Sequence, residues 1–201
     1  SMATELARRH GSLLHVLHLT TAIEMALFSR THRNDKRITA EVCVHHLWFD
    51  ESRYSDLGAR IKCNPAIKSA QDRQALIKAV NDGRIDIIAT DHAPHTDAEK
   101  KKSYFKAPAG LPLVQHALQV LFDLAAKGEL SPELIVEKTS HAVADIFGIT
   151  DRGYVREGYF ADLVLLDPQA PYNVNSTNLL AKCHWSPFEG HTFSSSIDTT
   201  I

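Results

Sequence analysis

Asp91 closes an apolar run, Ile87-Ile88-Ala89, and is followed at once by His92, Pro94 and His95. Such a run reads as a strand buried on both faces. An ionisable cluster at its end is costly unless it is paired, solvated or bound to a metal. A carboxylate there can ligate a metal and move protons; the alternative is a turn or capping aspartate. Two other histidine sites end strand-like runs: His18 in "HVLHLTT" and the pair His45-His46 in "ITAEVCVHHL". His15 and His18 are an odd number of residues apart, so on one strand they face opposite ways. His18, nearer the C-terminal end, is the better ligand candidate, and His15 is expected to pack under a helix. One of His92 and His95 is expected to meet a ligand and the other to be structural. Asn64 in "KCNP" lies in a loop near the same strand ends, where an Asn before Pro is also a common turn arrangement. Lys100, Lys101, Lys102 and Lys106 read as a solvated loop face.

These residues need a scaffold that gathers strand ends. The order of elements predicts one. "MATELARRH" is a helix stopped by Gly11, "SLLHVLHLTT" a strand, "AIEMALFSR" a helix, and "RITAEVCVHHL" a second strand. An irregular stretch then leads into a helix begun by Ser69 and Asp72 and ended by Gly83, and the strand "IDIIATD" follows. Alternation of this kind predicts βα units around a parallel sheet, where sites sit at the C-terminal strand ends. Helices are expected at about 111–127, from Ser131-Pro132, and over "TSHAVADIFG". From Gly153 the texture changes. "GYVREGYFADLVLLDP" reads as two strands about Gly158, and "TFSSSIDTTI" as another, together a small β module. The expected division is 1–150 and 151–201. The opening helix wants a preceding strand and the last strand breaks off at Ile201, so the expectation is a piece of a larger protein.

Composition narrows the partners. The 201 residues are 44% hydrophobic and 23% charged, with a net charge of -2. This balance favours neither nucleic acid nor an anionic membrane. No run reaches transmembrane length and no secretory leader is evident. Three dispersed cysteines argue against a disulfide framework and for a reduced, cytoplasmic setting. Histidine, at 12 residues, is the departure from the ordinary.

The segment "ATDHAPHTDAEK" closely resembles the second signature of the dihydroorotases, within the amidohydrolase superfamily, through Ala89, Thr90, Asp91, Ala93, Pro94, His95 and Lys100. "LHVLHLTTA", "ITAEVCVHHL" and "IKCNPAIKSAQDRQAL" are similar to that family's sixth strand, seventh strand and the segment before its eighth. "GYVREGYFADLVLLD" is similar to the superfamily's C-terminal β-sandwich return. Val44 and Ala66-Ile67-Lys68 stand where the family often has Pro and Pro-Leu-Arg, and Ala109 where it often has Phe.

The resemblance implies the C-terminal portion of an α/β (β/α)8 barrel, strands six to eight, with trailing helices and part of a β-sandwich. It implies one or two zinc ions, with His18 and Asp91 as ligands and the remaining ligands upstream of this chain. It also implies that Asp91 is the general base, and that Asn64, His95, Ala109 and Gly110 meet a small-molecule substrate. The reaction implied is the interconversion of dihydroorotate and N-carbamoyl-L-aspartate in pyrimidine biosynthesis, with room for a homodimer. Two alternatives stay open: an allantoinase or hydantoinase type of cyclic amidohydrolase, and a non-catalytic amidohydrolase-like assembly subunit.

Overall fold

The computed structural model describes residues 1–201. At its centre three strands, β1 (Leu14–Val16), β2 (Ile38–Cys43) and β3 (Ile87–Ala89), form one parallel sheet in the order β1-β2-β3. The registers Val16↔Ala40 and Cys43↔Ala89 bring all three C-terminal ends to one side. Ala40, Val42 and Cys43 are fully buried, as a strand covered on both faces requires.

Eight α-helices accompany the sheet: α1 (Met2–His10), α2 (Val44–Trp48), α3 (Tyr54–Leu57), α4 (Ala70–Asn81), α5 (Asp97–Lys100), α6 (Ala117–Ala126), α7 (Pro132–Val136) and α8 (Ala142–Phe147). Gly11, with φ 61, ends α1 as expected. Ser69 caps α4 by accepting the Asp72 N–H, and Leu76, Ile77 and Val80 face inward. The core runs between the sheet, α4 and α6, and takes in Phe188 and Phe193 from the C-terminal segment.

Four elements differ from expectation. "AIEMALF" forms a 3-10 turn over Ala22–Leu27, its start held by the Glu24 carboxylate, which accepts the Thr20 and Thr21 N–H groups. His45 and His46 lie in α2 rather than on β2, because the chain turns helical directly after Cys43. Of the two strands expected around Gly158 only β4 (Val164–Asp167) forms; Val155 and Phe160, which would have anchored the other, are exposed. "TFSSSIDTTI", expected as one strand, is broken into β6 (Thr192–Phe193) and β7 (Ser196–Thr200) in different sheets: β7 pairs β4, and β6 pairs β5 (Tyr172–Asn173), both antiparallel.

Several charges at the N-terminal end of the sheet are paired. The Lys36 ammonium lies 2.7 Å from Asp86, each side chain 2% exposed. Lys36 also donates to Gly83 O, and Asp86 accepts the Ala40 N–H. Arg33 joins Glu137, Asp145 and Tyr154 nearby. Buried charges so paired and hydrogen-bonded are structural.

Candidate active site

The opposite end of the sheet is different. His18 and Asp91 each follow just beyond a strand, past Val16 and past Ala89, and both have left-handed backbones, φ 38 and φ 46. Such conformations cost about 1–3 kcal/mol each and gather at functional sites. His18 is half-buried and Asp91 reaches the surface. Partial burial raises the Asp91 pKa; His18 opposes the shift and Glu41 adds to it, so the three groups lie within electrostatic reach.

Glu41 is the buried carboxylate of β2. Its Oε2 accepts a hydrogen bond from His15 Nε2 at 3.2 Å, and its Oε1 accepts the His18 backbone N–H at 3.4 Å. Its carbonyl accepts the Leu19 N–H at 2.9 Å. His15 is held further by Thr39 Oγ1 at 2.8 Å and by the edge of Phe147 on α8. His15 therefore lies away from the strand-end opening and against a helix. Strand parity does not extend to His18, which lies past the end of β1; its placement comes from the turn that Glu41 holds.

Next to β2, Cys43, His45 and His46 bring possible ligand atoms within 4.8 Å of one another, all buried. Both ring nitrogens of His45 and Nδ1 of His46 have no hydrogen-bond partner. Burial keeps both rings neutral, pushing His45 well below its usual value and His46 down to about 4. Neutral imidazoles are competent ligands, whereas burial drives the Cys43 thiol upward, away from the thiolate that binds metal.

The remaining site residues lie on the loop that follows β3 and on the segments bonded to it. His95 Nε2 donates to Ala109 O at 2.9 Å. The Gly110 N–H donates to Lys62 O at 2.9 Å, which joins this turn to the segment leading to Asn64. Asn64 itself is exposed. Gly110 has φ 135, and a Cβ there would meet Ala93 O at 2.4 Å, so only glycine fits. The Ala109 carbonyl and both backbone groups of Gly110 are engaged, which leaves the Ala109 N–H as the free donor of the dipeptide. His92 is structural: its Nδ1 accepts the Leu113 and Val114 N–H groups at 3.0 and 3.1 Å.

Lys100 corrects a sequence expectation. It is 2% exposed, not solvated, and its Nζ donates to three carbonyl oxygens. Burial lowers its pKa to about 8. Lys101, Lys102 and Lys106 are exposed as expected. Glu41 and Trp185 also bear on the site: a lone acid inside "ITAEVCV" is a local signal for Glu41, and the local sequence carries none for Trp185.

A parallel α/β sheet with strained ionisable residues at its C-terminal end has the layout of an α/β enzyme. The chain belongs to the amidohydrolase family, whose model matches residues 2–201, and has an α/β amidohydrolase fold. It is 38% identical over 191 residues to a dihydroorotase of Halobacterium salinarum, covering 94% of this chain and 44% of that protein. With a dihydroorotase of Latilactobacillus sakei it shares 34% over 198 residues, 98% of this chain and 46% of the relative. The chain thus spans less than half the length of these relatives. The L-hydantoinase (dihydropyrimidinase) of Arthrobacter aurescens superposes with a TM-score of 0.89 at 25% identity, over 99% of this chain and 45% of that one. No helix is long and apolar enough to cross a membrane.

Proposed function

We propose that the protein carrying this chain is a zinc-dependent dihydroorotase, which interconverts dihydroorotate and N-carbamoyl-L-aspartate in the cytoplasm. The observation that carries the reading is the pair His18 and Asp91, both strained, at the C-terminal end of one parallel sheet. Identity with dihydroorotases of 38% and 34% supports the substrate class. In this reading β1, β2 and β3 are strands six to eight of a (β/α)8 barrel. Residues 1–150 belong to that barrel and its trailing helices, and 151–201 to the β-sandwich.

An imidazole and a carboxylate suit zinc as donors, and these two would hold it together with ligands from elsewhere in the protein. When bound, the metal supplies Lewis-acid polarisation of the ring amide and a lower pKa for water. Asp91 accepts the proton released as water adds to the amide carbon, and delivers it to the ring nitrogen as the C–N bond breaks. His95, Asn64 and the Ala109 N–H bind the ring and its carboxylate. The Ala109 carbonyl holds His95 Nε2, so Nδ1 is the ring atom turned to substrate.

The likeness to the Arthrobacter hydantoinase favours a second reading, a cyclic amidohydrolase acting on hydantoins or dihydropyrimidines. Turnover of dihydroorotate, hydantoin and dihydrouracil by the metal-loaded protein separates the two. Dihydroorotate is expected to exceed the others at least a hundredfold in kcat/KM; the reverse order overturns the first reading.

A further inference from the structure

Lys100 ends α5, and its ammonium uses all three protons on backbone carbonyls: Lys62 O at 3.1 Å, Pro108 O at 3.0 Å and Gly110 O at 2.9 Å. Two separate segments meet on this one group. Lys62 leads into Asn64, and Pro108 and Gly110 flank Ala109. Lys62 O also accepts the Gly110 N–H, so the two segments are linked directly as well as through the ammonium.

A second link reaches His95. Lys100 Nζ sits 5.6 Å from the centre of the Trp185 ring, and Trp185 Nε1 donates to His95 O at 2.7 Å. The ammonium is thus the common centre of the backbone around Asn64, His95 and Ala109, yet being buried it is withdrawn from any ligand. A neutral side chain of the same length would fill the space but leave the three carbonyls without their shared donor.

We propose that Lys100 is a positioning residue for substrate, fixing Asn64, His95 and the Ala109 N–H as one preformed wall. The proposal rests on the dihydroorotase reading for its substrate and on the geometry alone for the clamp. Its test is Lys100→Met in the metal-loaded protein that carries this chain, with Ile135→Val, a core trim in α7, as a control for general destabilisation.

The expected result for Lys100→Met is a KM for dihydroorotate at least tenfold higher, kcat within threefold and metal content unchanged. Amide hydrogen exchange at Gly110, whose N–H is held by Lys62 O, should be at least tenfold faster, with α4 unaffected. Lys100→Gln, which keeps two donors, should fall between; it also serves if the Met variant does not fold. Unchanged KM and unchanged exchange at Gly110 overturn the proposal. So does a fall in kcat and stability alone that Ile135→Val reproduces. If the wild-type protein does not turn over dihydroorotate, the functional reading falls, and the exchange measurement still decides the clamp.

Discussion

The Trp185 indole N–H donates to the carbonyl oxygen of His95 at 2.7 Å, across ninety residues of chain. The C-terminal segment thereby holds the loop that follows β3, and does so next to the group assigned to substrate binding. Trp185 is 1% exposed, with the Arg60 guanidinium and the Lys100 ammonium over its ring. Trp185→Phe keeps an aromatic ring but removes the donor, so it should cost about 1–2 kcal/mol of stability and raise KM severalfold. Urea denaturation and substrate titration check the two effects.

Gly110 tolerates no side chain. Its φ of 135 and the Ala93 oxygen 2.4 Å from a would-be Cβ oppose even alanine. Gly110→Ala should destabilise by roughly 2 kcal/mol or more, read as a lower denaturation midpoint. Gly128→Ala has a positive φ but open space around the added carbon, so it should cost less.

Asp123 gives an acid-dependent term. Burial alone would raise its pKa, but hydrogen bonds from the Ser194 N–H and hydroxyl and from His191 outweigh this, so its pKa lies below the ordinary carboxylate value. A depressed folded-state pKa means stability that is present above the unfolded value, about 3.9, and lost as pH falls through the folded one. The link between α6 and the C-terminal segment should therefore weaken below about pH 4. Thermal melts of wild type and Asp123→Asn should converge as pH is lowered from 6 to 3; a constant gap would contradict this.

His15→Asn tests the division of labour on β1. His15 is spent on Thr39, Glu41 and Phe147, so its loss should cost about 1 kcal/mol of stability and change kcat by less than tenfold. A loss of kcat as large as that from changing Asp91 would place His15 in the chemistry.

His18 and Asp91 are legible in the sequence because an ionisable residue ending an apolar run is conspicuous at short range. So is α4, whose Ser69 cap and inward face of Leu76, Ile77 and Val80 are local features. Lys100 is not legible. Within "EKKKS" it looks like its neighbours, and only the convergence of three distant carbonyls makes its burial tolerable. The exposed Val155 and Phe160 show the converse: strand-like composition does not make a strand without a partner to pair with. His45 and His46 continue a β-rich run, yet the chain turns helical after Cys43.

The central claim is that Asp91 carries the proton in a dihydroorotase reaction. The most direct measurement is kcat of Asp91→Asn against wild type, on dihydroorotate, at matched metal content and equal fold by circular dichroism. The account predicts a fall of about 10²–10⁴, the range for loss of a positioned general base, with His95→Ala instead raising KM. A kcat for Asp91→Asn within tenfold of wild type under those conditions would contradict it.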